Sequence, residues 1–153
     1  MTDEDYMEQA LAEAGYCSGK GEIPIGAVIV KDGKIIASAG NSNRAEKDPT
    51  RHAEIKAIQA AAQALGNERL IGCVMFVTKE PCAMCAGAIV HARIKRLVIG
   101  AEDVRYGACG TVLSVCGNSC LNHIPETVFG IKKEECAELL KKFFMAKRVS
   151  VKK

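Results

Sequence analysis

The feature that most constrains this 153-residue chain is a pair of short polar motifs, His52-Ala53-Glu54 and Pro81-Cys82-Ala83-Met84-Cys85. Each follows a stretch that reads as sheet and opens a stretch that reads as helix. Cys82 and Cys85 are three residues apart, close to one helical turn, so both sulfurs project from the same side. A helix N-terminus also favours the deprotonated, ligating thiolate. If the three side chains share one ion, the fold must bring both helix starts to one place.

One His and two Cys make three protein ligands. Structural zinc sites close the tetrahedron with four, whereas a catalytic zinc keeps its last position for water and lowers that water's pKa. Glu54, two residues past His52, can take the water's proton and pass it to a substrate nitrogen. Together the motifs match the H-x-E…P-C-x-x-C signature of zinc deaminases. A redox Cys-x-x-Cys predicts no upstream His-x-Glu, and a structural zinc needs His91 or Cys109 as a fourth ligand.

The surrounding pattern supplies the scaffold. Thr2 to about Cys17 spaces Tyr6, Met7, Ala10, Leu11 and Ala14 as an amphipathic helix. Ile25–Val30 and Ile35–Ala39 flank Asp32-Gly33, a hairpin turn signal, so these strands are antiparallel neighbours. A polar loop, 41–50, leads to a helix running to about Leu65, with Thr50 as its expected N-cap. Cys73–Thr78 reads as a strand buried on both faces. Pro81 opens the next helix, Arg96–Gly100 is a further strand, and 101–125 is mostly irregular. Glu126–Phe129 is a short strand and Lys132–Arg148 a closing helix. Strands alternating with helices imply an α/β class, three layers with a mixed sheet of about five strands. With 48% hydrophobic residues and no obvious repeat, one domain over 1–153 is expected. No apolar run reaches membrane-spanning length, and the acidic start Asp3-Glu4-Asp5 resembles no targeting segment, so a cytoplasmic protein is expected.

The chain resembles the bacterial tRNA-specific adenosine deaminases of the cytidine-deaminase-like superfamily. The resemblance extends over Pro24–Val30, Asp48-Pro49-Thr50 with His52-Ala53-Glu54, Glu80–Ile89, Arg93-Ile94, Gly100–Asp103, Gly107-Ala108, Leu121-Asn122-His123 and the Glu135-Cys136…Leu139-Leu140…Phe143-Phe144 ending. It implies the three-layer cytidine-deaminase-like fold, one zinc ion per chain on His52, Cys82 and Cys85, and Glu54 as the catalytic proton carrier. It also implies hydrolysis of adenosine to inosine at the wobble position of a tRNA anticodon stem-loop, and a homodimer. By motif position, Ile25 and Ala27 line the base pocket, Asn41 hydrogen-bonds the base with Asn43 as the competing candidate, and the Ala53 N–H meets the purine edge. Asp103 stands near the substrate backbone, and His123 is a weaker candidate.

Eight cysteines without a secretory signal point to burial or metal rather than disulfides. Cys17, Cys73 and Cys136 read as buried hydrophobes, while Cys116, Cys120 and His123 have loose spacing for a second metal or redox pair, against the favoured reading of a cysteine-tolerant loop in a reducing cell. The net charge is only +3, yet the end is basic: Lys141, Lys142, Lys147 and Arg148 stand near nucleic acid or on a solvated helix face, with Phe143 and Phe144 packing inward. A small-molecule guanine or cytosine deaminase shares every catalytic residue and is the competing function. A zinc-stabilised binding module is disfavoured by Glu54.

Overall fold

The computed structural model describes residues 1–152, with side chains through Val149. Its elements are α1 (Asp3–Ser18), β1 (Gly26–Lys31), β2 (Lys34–Gly40), α2 (Asn43–Glu46), α3 (Ala53–Leu65), β3 (Val74–Lys79), α4 (Ala83–His91), β4 (Arg96–Ala101), β5 (Glu126–Phe129) and α5 (Lys133–Lys152). The five strands form one sheet in the order β2-β1-β3-β4-β5. β1 runs antiparallel to both neighbours, while β3, β4 and β5 are parallel. Asp32 and Gly33, both at positive φ (49° and 75°), make the turn between β1 and β2, the conformation a tight hairpin of the sheet's own twist requires.

This topology decides where the two motifs meet. β2 and β3 point the same way, so α3 is a crossover that passes β1, and α4 is the next crossover, from β3 to β4. Both step in the same direction across the sheet, so the right-handed rule places both helices on one face. Both also start at the same end of the parallel strands. α3 and α4 pack on each other, and α1 and α5 pack on the sheet. The strands alternate accordingly. Ala27, Ile29, Met75, Val77, Leu97 and Ile99 join Ala53, Ala57, Ala86 and Ile89 in one core. Val28, Val30, Phe76 and Val98 join Tyr6, Met7, Ala10 and Cys136 in the other. The three-layer mixed sheet expected from the sequence is what forms.

α1 sits very close to the sheet. It is capped by Thr2 and Asp5 in a reciprocal capping box. A Cβ on Gly26 would overlap the Ala10 carbonyl oxygen and stand 2.8 Å from the Ala14 nitrogen. Only glycine lets the helix approach β1 this closely.

Three details differ from the sequence reading. The polar loop contains a one-turn helix, α2, because the buried Glu22 carboxylate accepts from the Arg44 and Ala45 N–H groups at 3.1 and 2.8 Å. Thr50 does not cap α3: its N–H and hydroxyl both bond Asp48 Oδ1, and His52 takes the N-cap position. Phe143 is half-buried, but Phe144 is 40% exposed.

The stretch between β4 and β5 holds no helix and only an isolated bridge, Cys109 to Ser114. It nevertheless buries Ala108, Cys109 and Cys116 in the core shared by α3 and α4. It therefore occupies the position that a crossover helix would fill. No helix among the described residues is long and apolar enough to cross a membrane.

Candidate active site

His52 and Cys82 are the N-cap residues of α3 and α4, and neither side chain caps its own helix. Asn41 Oδ1 satisfies the start of α3 instead, accepting from Ala53 N–H at 2.8 Å. The cap side chains are thereby free to meet. Cys82 Sγ and Cys85 Sγ lie 3.7 and 3.4 Å from His52 Nδ1, and one ligand atom from each residue falls within 4.8 Å of the other two. A tetrahedral zinc with Zn–S of about 2.3 Å and Zn–N of about 2.0 Å sets S···N edges of about 3.5 Å. The observed edges fit that cation. No other such cluster occurs among the described residues.

The donor set's protons point the same way. The hydrogen bond from Cys85 pulls the Cys82 thiol down to about 4. Cys85, as donor of that bond and buried, is pushed far up. The Cys82 sulfur also raises His52. A cation shared by both sulfurs displaces the proton between them.

Glu54, in the first turn of α3, is 3% exposed, and burial pushes its carboxyl above the ordinary range. Its Oε1 is buried with no hydrogen-bond partner. An orphaned oxygen of this kind costs about 1–3 kcal/mol, which fits a group reserved for a bound water or substrate rather than for the fold.

A cleft of about 1030 Å³ is lined by His52, Glu54 and Cys82. Ile25, Asn41, Asn43 and Arg44 form one part of its wall, Lys79 and Asp103–Tyr106 another, and Lys141, Phe144, Lys147 and Arg148 of α5 a third. Of the substrate residues expected from the sequence, Ile25, Asn41 and Asp103 therefore reach the cleft. Ala27 does not, being fully buried in β1, inside the α3 core. The Ala53 N–H is held by Asn41, so the donor expected at the purine edge is engaged within the protein. Asn43 Nδ2 bonds the Pro49 carbonyl at 3.1 Å. Asp103 pairs with Lys79 at 3.1 Å and accepts from the Arg105 and Tyr106 N–H groups. His123 lies apart from the cleft, 2.6 Å from the Ile94 carbonyl. Cys116 pairs with Cys109, Sγ to Sγ 3.3 Å, and not with the exposed Cys120.

Two buried carboxylates beside the cleft escaped the sequence reading. Glu22 anchors α2. Glu80, 3% exposed, follows β3 directly and precedes Pro81. An acid at the end of an apolar strand, next to a ligand motif, is a signal that could have singled it out.

Known proteins resemble this chain in sequence and fold. Residues 1–148 match the MafB19-like deaminase family. A tRNA-specific adenosine deaminase of Agrobacterium fabrum (strain C58) is 46% identical over 94% of this chain and 95% of its own. A solved structure from a study of A-to-I editing by tRNA:A34 deaminases superposes with a TM-score of 0.86 at 46% identity, covering 89% of this chain and 99% of that one. A guanine deaminase of Bacillus subtilis aligns less completely, with a TM-score of 0.64 at 43% identity over 67% of this chain and 66% of that one. Matched in sequence along nearly its whole length and in fold over most of it, the chain belongs to the family of the tRNA-specific adenosine deaminases.

Proposed function

We propose that the chain is a single-domain hydrolase that converts adenosine to inosine at the wobble position of a tRNA anticodon, consuming water and releasing ammonia. The near full-length match to tRNA:A34 deaminases carries this reading. His52, Cys82 and Cys85 would hold one zinc ion, which when bound supplies Lewis-acid activation of water at its remaining position. Glu54 Oε1 takes the first proton from the attacking water and delivers it to the purine ring nitrogen; it then takes the second from the hydroxyl now on the ring carbon and passes it to the amine, which leaves as ammonia while that oxygen becomes the carbonyl of inosine. Ile25 gives the target base an apolar wall, and Asn41 orients it through its side-chain NH₂ group, since its oxygen is committed to Ala53. Asp103 fixes the turn that faces the flanking nucleotides. Arg44, Arg105, Lys141, Lys147 and Arg148 present positive charge to phosphates around the opening.

A homodimer in the cytoplasm completes the proposal. Val112, Leu113, Leu121 and Ile124, each at least 42% exposed, lie on the segment between β4 and β5 and leave apolar surface for a second copy to cover.

The deciding assay offers a stem-loop with A at the wobble position beside free guanine and free cytosine. Inosine in the RNA is the expected product; turnover of a free base alone refutes the RNA reading. Glu54→Gln should retain zinc and fold while losing about 10²–10⁴-fold in rate, the usual worth of a positioned acid-base group. Loss of metal in that variant would show that Glu54 is a ligand instead.

A further inference from the structure

We propose that Glu80 is a positioning residue whose buried carboxylate sets the cleft wall formed by residues 103–106, and so governs RNA affinity while leaving the proton chemistry at Glu54 intact. This rests on the RNA reading given above.

The carboxylate spends its capacity on one segment. Oε1 accepts from the Asp103 N–H at 3.1 Å and from the Thr111 hydroxyl. Oε2 accepts from the Cys109 and Thr111 N–H groups at 3.0 and 3.2 Å. All four donors come from 103–111, which has no sheet or helix ladder to satisfy its backbone. Glu80 itself is fixed to the sheet by its own N–H, which donates to the Ala101 carbonyl at 2.8 Å. The fit is tight: a Cβ on Gly107 would stand 2.5 Å from Glu80 Oε1 and from the Asp103 carbonyl.

From there the tether reaches the cleft. Asp103 hangs from Glu80 by its N–H, and its own carboxylate shapes the next turn by accepting from Arg105 and Tyr106. Val104 and Tyr106 at that turn are 77% and 67% exposed, so little packing of their own holds them against the cleft. Their position is therefore inherited from the backbone, which Glu80 holds with four hydrogen bonds, beside the Ala108 N–H on the Pro81 carbonyl at 2.9 Å and the Asp103 carboxylate on Lys79 at 3.1 Å.

Glu80→Gln tests this without changing shape. An amide oxygen can still accept from Cys109 and Thr111, but its NH₂ then faces the Asp103 N–H, donor against donor. The stem-loop KM, and its Kd by fluorescence anisotropy, should rise about tenfold, the worth of one charge-assisted hydrogen bond. The kcat should stay within about threefold, with zinc content unchanged. Hydrogen exchange at the Asp103 amide should quicken about tenfold as its bond is lost. Thr111→Val, an exposed site that removes only the hydroxyl donor, should raise KM by a smaller factor. Unchanged KM and Kd in Glu80→Gln, or a defect confined to kcat with zinc loss, overturns the proposal. If Glu80→Gln does not fold, an unaltered Kd in Thr111→Val overturns it. If the wild type ignores the stem-loop and turns over guanine, the RNA reading falls. Asp103 exchange and guanine KM in the same variants then decide the tether separately.

Discussion

Gly26→Ala should be among the most damaging single-methyl additions in this protein. The new Cβ would overlap the Ala10 carbonyl oxygen, with the Ala14 nitrogen 2.8 Å and the Ala10 carbonyl carbon 3.0 Å away. These are backbone atoms, so no rotamer change relieves the clash, and α1 must retreat from the sheet by about 1.5 Å to restore ordinary contact. The retreat loosens Tyr6, Met7, Ala10 and Cys17, which the helix buries. Overpacking costs about 1–3 kcal/mol, and a rigid obstacle places this case at the upper end. At roughly 2–4 °C per kcal/mol for a chain of this size, the Tm should fall by about 6–12 °C. Gly15→Ala is the matched control. It lies in the same helix with nothing within 4 Å of a new Cβ, so the better helix former should stabilise by about 0.5–1 kcal/mol. Thermal unfolding followed by far-ultraviolet circular dichroism on zinc-loaded protein reads both. A Gly26→Ala Tm within 2 °C of wild type would refute the close seating of α1 on β1.

Cysteine labelling should separate the ligands from the rest. In zinc-loaded protein the exposed Cys120 should react fast and alone, and a chelator should add the half-buried Cys82 as the next site; fast labelling of Cys109 or Cys116 would contradict their burial. Asp3 is held below the usual carboxylate range chiefly by its hydrogen bond with Arg96. The folded state therefore binds that proton less readily than the unfolded one, and the pair's contribution is present above the ordinary carboxylate pKa and lost as the pH falls through the lowered one. The stability gap between wild type and Asp3→Asn should be about 1 kcal/mol or less at pH 7, given partial exposure, and should close in acid during urea titrations. If three of the cleft's basic side chains meet phosphate, raising salt from 50 to 200 mM should weaken stem-loop binding roughly 20-fold. A flat salt response would remove α5 from the interface.

What the sequence revealed and concealed follows from range. Local signals carried the strands, the Asp32-Gly33 hairpin and the His52, Glu54, Cys82 and Cys85 constellation, because period, turn chemistry and ligand spacing are written in neighbouring residues. What stayed hidden depends on partners far along the chain. α2 exists because Glu22, more than twenty positions away, binds its first N–H groups. Asn41 displaces Thr50 as the cap of α3 because the return of β2 brings it alongside. Ala27 failed as a cleft residue for a strand reason: in β1 its side chain falls on the face packed by α3. Cys116 found Cys109 rather than Cys120 because the Cys109–Ser114 bridge folds the segment back on itself.

The stretch between Ala101 and Glu126, filling the place of a crossover helix without being one, divides the molecule into parts that can change at different rates. The cradle for the metal is built from helices and strands whose side chains interlock, and most substitutions there disturb several neighbours at once. The strap beside the opening is held at fewer points, by the buried Ala108, Cys109 and Cys116 and by its hydrogen bonds to Glu80, and the exposed positions between them carry little packing. Swapping it for the equivalent stretch of a relative, with Glu80 and Gly107 kept, is thus a route to a new substrate that leaves the hydrolytic centre untouched.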